Sequence, residues 1–162
     1  MANQDPQPEI YRVNAAFAPA TTAGTTSVTN ITTSQANNEE VRVYALQVAL
    51  LDELGTGIAA TATDIEFDVR ITVGANNVPS QTFSITPALL SESKMLTLPS
   101  PILVLYQYPM SVTVTCVNAL AAGANNGRTL IINMISELAL QKVAGTYTDS
   151  DFPRSRSGGC SA

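Results

Sequence analysis

Polar and apolar residues alternate along much of this chain. The alternation is strictest at residues 64–73, where Ile65, Phe67, Val69, Ile71 and Val73 fall on one side and Glu66, Asp68, Arg70 and Thr72 on the other. A period of two sends successive side chains to opposite faces of a strand, so one face packs and the other meets solvent. A slip of one residue would turn every apolar group outward, which pins the register. The same pattern predicts a strand at residues 110–116, with Met110, Val112, Val114 and Cys116 opposed to Ser111, Thr113 and Thr115. Another is predicted at 81–85, where Phe83 and Ile85 point inward and Gln81 breaks the set.

Further strands are predicted at residues 10–17, 25–33, 39–51, 96–105 and 128–140. Residues 41–51 are partly apolar on both faces, the mark of a central strand or of one covered on both sides. Pro99 and Pro101 interrupt 96–105 and place it at a sheet edge or at a crossing between sheets, because proline has no N–H to give to a ladder. In 128–140, Leu130, Ile132, Met134, Leu138 and Leu140 share a face. Residues 134–142 are also rich in helix formers, and the strand reading is preferred over a helix there. Ala-Asn-Asn recurs at 36–38, 75–77 and 124–126, each time at the end of an apolar segment, and reads as repeated turn chemistry. Asn126-Gly127 has the residues favoured in a two-residue hairpin turn.

About eight strands with turn signals between them and no sustained helix predict an all-β fold, an antiparallel β-sandwich. A jelly roll suits the chain length, the proline-broken segment and the terminal arms, and that architecture recurs in viral capsid and lectin domains. An immunoglobulin-like sandwich is the second choice, since the tryptophan that packs on the disulfide of such domains is missing. Residues 1–9, with Pro6 and Pro8, are expected to form an extended arm, 10–143 the sandwich, and 144–162 a flexible tail containing Gly145, Pro153, Gly158 and Gly159.

Composition narrows the chemistry. The 162 residues include no histidine and no tryptophan, which removes the usual proton shuttle and metal ligand and a strong anchor for sugars. Charged residues are only 13% of the chain, and Thr, Ser, Asn and Gln stand where Lys and Glu are usual. Hydroxyls and amides cost less to desolvate than ions, so such a surface suits lasting contact with neighbouring subunits as well as a plain Thr-rich β surface. A net charge of −5 with scattered basic residues argues against general nucleic-acid binding; only Arg154 and Arg156 lie close together. The opening residues, Met1 to Pro6, lack the basic start and apolar run of a secretory signal, and no run is long and apolar enough for a membrane helix. The expectation is a soluble protein made in the cytoplasm, without a membrane partner.

Candidate chemistry is sparse. Asp64, Glu66 and Asp68 share one strand face at a spacing that suits a calcium ion or, with another strand, a carboxylate pair. The expected reading is a solvated face whose charges deter edge-to-edge aggregation. Asp149 and Asp151 in the tail are read the same way. Ser91-Glu92-Ser93-Lys94 has a Ser-x-x-Lys spacing inside a polar loop and reads as a chance match, as does the glycosylation pattern Asn30-Ile31-Thr32. Cys116 reads as a small buried hydrophobe and Cys160 as a free thiol in a Gly-Ser tail, with no disulfide between them. Tyr106 and Tyr108 offer either a sugar-stacking ledge or a subunit contact.

No catalytic residue, cofactor or metal ligand is expected, and no small-molecule substrate. What remains is shape. The expected function is that of a structural virion protein, a small jelly-roll capsid, decoration or spike subunit assembled in the host cytoplasm, whose partners are copies of itself and other shell proteins. The alternative is a lectin-like carbohydrate- or receptor-binding module.

Overall fold

The computed structural model describes residues 5–77 and 82–141. In chain order the elements are β1 (Gln7–Phe17), β2 (Thr26–Ile31), β3 (Glu39–Asp52), β4 (Phe67–Val73), β5 (Asn76–Asn77), β6 (Phe83–Ile85), α1 (Pro87–Glu92), β7 (Met95–Leu105), β8 (Met110–Cys116) and β9 (Arg128–Leu140). They form two antiparallel sheets packed face to face, one in the order β1-β9-β3-β7 and the other in the order β2-β8-β4-β5, with β6 also on β4. The pairings are nested. The first long strand pairs with the last, β2 with β8, β3 with β7 and β4 with β6. The chain is thus an antiparallel ribbon whose successive rungs alternate between the sheets, and the pairs β9–β3 and β8–β4 close each sheet.

The core lies where the period of two predicts it. Val13, Ala15 and Phe17 of β1, Leu46, Val48 and Leu50 of β3, and Leu130, Ile132 and Met134 of β9 are buried from one side. Phe67, Val69 and Ile71 of β4 and Met110, Val112, Val114 and Cys116 of β8 meet them from the other. The strand reading of 128–140 holds over its competing helix, because β9 is a central strand with a full ladder on each side.

Several boundaries differ from the pattern. β4 begins at Phe67, not at residue 64. Asp64 is exposed and Ile65 is buried outside the strand, while Val117 N–H takes the Glu66 carbonyl at 3.0 Å. β1 begins at Gln7, so residues 7–9, assigned to the arm by their prolines, pair with Leu138, Glu137 and Ser136. Pro8 is tolerated there because β1 is an edge strand. The tail at 144–162, with Asp149, Asp151, Arg154, Arg156 and Cys160, lies outside the described residues, as does Gln81.

The prolines of β7 act as predicted. It is the edge of its sheet, and its pairing with β3 jumps from Val43↔Ile102 to Ala45↔Thr97, so residues 98–101 bulge past Tyr44 where Pro99 and Pro101 have no N–H to offer. Asn126-Gly127 does not make a two-residue hairpin. β8 and β9 lie in different sheets, and the connection between them reverses with Asn125 at φ 66° and Gly123 at φ 102° while the Asn126 side-chain amide donates to Ala122 O at 2.8 Å. The short α1 was not predicted, although Thr86-Pro87 carries its start signal. The Thr86 hydroxyl accepts from Leu89 N–H at 3.2 Å, and proline at the first position needs no partner.

Candidate interaction surface

The outward positions of the β1-β9-β3-β7 sheet line up in cross-strand rows. Ile10, Ile135, Ala45 and Thr97 form one row, Arg12, Asn133, Gln47 and Met95 the next, followed by Asn14, Ile131 and Ala49, then Ala16, Thr129 and Leu51. These are the positions where an alternating strand facing water normally carries charge. Arg12 is the one charged residue in these four rows. Ile10 is 66% exposed and Met95 45%, and Ile131, Ile135, Ala45, Ala49 and Leu51 are half-buried by their neighbours. The amides in between are mutually satisfied in part, with Asn133 Nδ2 donating to Gln47 Oε1 at 3.3 Å. A face of isoleucine, alanine and amide is inexpensive to desolvate and offers apolar area to a partner.

One end of this face is polar and tightly organised. Glu40 is fully buried and Arg42 Nε donates to its Oε1 at 2.6 Å, with a second guanidinium contact to the same oxygen. Arg42 also lies 3.6 Å from Glu137, whose carboxylate accepts the Tyr44 hydroxyl proton. Burial opposes the guanidinium charge, but the interactions with Glu40 and then Tyr44 together outweigh it and hold Arg42 above its ordinary value. Burial, and then the bond to Glu137, raise the Tyr44 phenol. The edge of β1 carries a smaller cluster, in which Glu9 accepts from Ser34 Oγ at 2.7 Å and from Tyr11. This ties the segment after β2 to the first strand.

The residues singled out by the sequence do not converge. Asp64 and Glu66 lie ahead of β4, and Asp68 within it accepts from Ser84 Oγ at 2.6 Å. Among the described residues, no three Asp, Glu, Cys or His side chains gather as a metal ion requires. Ser91 donates its hydroxyl to Ala88 O at 2.7 Å. Lys94 lies with it on the rim of a recess of about 170 Å³ between β3 and α1, where Val48, Leu50, Ile58 and Leu90 supply an apolar wall. Tyr106 and Tyr108 are exposed on the β7–β8 connection, and the Tyr108 ring covers Gly74, whose ideal Cβ would lie 2.8 Å from it. Cys116 is a free buried thiol that donates to Asn118 O at 3.0 Å.

No family model and no curated protein matches this sequence. The apolar outer face was only half visible in the sequence. The partly two-faced apolar run at 41–51 pointed to a central strand or to cover on both sides, and β3 is central, between β9 and β7. Ile10, Ile131 and Ile135 lie in segments far apart in the chain, and only strand pairing sets them on one face.

Proposed function

We propose that this chain is a structural virion protein, a jelly-roll capsid, decoration or spike subunit that works by packing against copies of itself and other shell proteins. Support for the jelly roll is the nested pairing, since an eight-stranded ribbon rolled into two sheets generates these four strand pairs once the two-residue β5 is set aside. Capsid domains recur on that architecture, which makes the virion assignment a fold-level analogy.

The observation that carries the assembly reading is the outer face of β1, β9, β3 and β7. In a monomer Ile10 stays 66% exposed beside Ile135, whereas a subunit would bury both at the next interface. Native mass measurement and electron microscopy of the purified protein test this. A closed oligomer or lattice that Ile10→Lys weakens, with the melting temperature unchanged, supports it. A monomer at every concentration overturns it.

A second reading rests on the exposed pair Tyr106 and Tyr108. Two aromatic side chains on one connection offer a stacking ledge for a sugar ring. A glycan array with wild type and Tyr106→Ala separates this reading from the first.

A further inference from the structure

Among the described residues, each sheet ends in strands with one neighbour, and most of these edges are blunted. β1 carries Pro8, Glu9 and Arg12, β7 carries two prolines and a bulge, and β5 and β6 are two and three residues long. Such devices keep free edges from pairing with other chains. β2 has none of them. Its six residues, Thr-Ser-Val-Thr-Asn-Ile, contain no charge, proline or glycine.

The hydrogen-bonding direction of this strand follows from one observed bond. Cys116 N–H donates to Thr25 C=O at 2.8 Å. The alternation of an antiparallel ladder then turns the main-chain groups of Ser27, Thr29 and Ile31 toward β8, and those of Thr26, Val28 and Asn30 away from it. Among the described residues, none hydrogen-bonds to the outward set. Thr26, Val28 and Asn30 are all exposed, Val28 by 60%.

We propose that β2 is a self-pairing edge, at which two copies of this chain join antiparallel across a two-fold axis centred on Val28. This rests on the assembly reading above and supplies its first contact. The outward set is symmetric about Val28, so its main-chain groups face those of Val28 in the second copy while Thr26 faces Asn30. Three residues on each strand, each with one N–H and one C=O, close about six hydrogen bonds. The pairing also brings the two Val28 side chains together on the outer face of one continuous sheet, with no like charges opposed. Isologous contact of this kind needs a self-complementary strand, and an uncharged one qualifies.

Sedimentation of full-length wild type, Val28→Lys, Val28→Glu and an equimolar mixture of the two variants tests the proposal, with melting temperature as the check on folding. Each charged variant alone is expected to weaken the two-fold step at least about tenfold, as like charges meet at the axis, and the mixture to recover it. Val28→Pro removes only an N–H that points away from β8, so it should also weaken pairing while the fold survives. A Val28→Lys protein that associates like wild type, or a mixture no better than either variant alone, overturns the self-pairing edge and leaves the outer-face reading standing. A wild type that is monomeric throughout ends both.

Discussion

The Phe17 ring on β1 lies with its centroid 5.2 Å from that of Phe67 on β4, tilted by 32°, and so joins the two sheets through their largest core side chains. Both rings are buried, Phe67 completely. A tilted pair at this distance gains more than the burial of its area alone.

Phe67→Ala should therefore destabilise the protein by about 3–5 kcal/mol, through lost burial and an unfilled cavity between sheets. Glu66→Ala and Asp68→Ala should each change stability by no more than about 0.5 kcal/mol, since both lie outside the core and the Ser84–Asp68 bond is open to water. Denaturant melts check all three. A calcium-dependent rise in melting temperature that the two carboxylate changes abolish would show that the face binds an ion.

Gly74 makes a second test. Its φ is +62° and the Tyr108 ring fills the space a Cβ would need, while its N–H donates to Pro109 O at 2.8 Å. Gly74→Ala should cost about 1–2 kcal/mol from the left-handed backbone, with the ring clash added. In a double-mutant cycle, Tyr108→Ala should recover the clash and leave the backbone cost, so the two changes will not add.

Alkaline pH should destabilise the protein through groups whose folded state holds the proton more tightly. Burial raises Cys116 above its ordinary value of 9.0. Burial, followed by the bonds to Glu9 and Glu137, raises Tyr11 and Tyr44 above 10.0. A raised acid favours the native state fully below the unfolded-state value, and that contribution is lost as pH climbs through the folded one. The melting temperature should fall from about pH 9 upward, the thiol acting first. Cys116→Ser keeps a donor for Asn118 O and removes the titration, so it should flatten the early part of the fall. The same thiol should react with a thiol reagent only after denaturation.

The N-terminal boundary is open to direct measurement. Deleting residues 1–6 should leave the melting temperature within a degree or so of wild type, as no rung of β1 is lost. Deleting 1–9 removes the pairs with Leu138, Glu137 and Ser136, the Glu9 carbonyl that accepts Ser136 Oγ at 2.8 Å, and the carboxylate bound by Ser34 and Tyr11. A drop of several degrees is expected, the size that about 1 kcal/mol produces in a domain of this length. Equal melting temperatures for the two truncations would show that the first rungs contribute nothing to stability.

The sequence by itself determined the local chemistry of this protein: where most of the long strands run and which side of each is apolar, while Asn76 and Asn77, read as a turn, pair as the short strand β5. Residues 110–116 and 128–140 coincide with β8 and β9 to the residue, because a period of two is a local property that burial on one face makes unambiguous. Pro99 and Pro101 announced an edge because a missing N–H matters wherever the strand sits. Pairing was decided elsewhere. Whether β1 lies beside β9 or β2, whether Asn126-Gly127 closes a hairpin or spans two sheets, and whether Ile10 meets Ile135 depend on contacts between residues far apart in the chain. The apolar outer face and the unguarded edge of β2 belong to that second kind of fact. Each is built from residues that look unremarkable in their own segments, and only the closure of the sheets sets them side by side or leaves them without a neighbour.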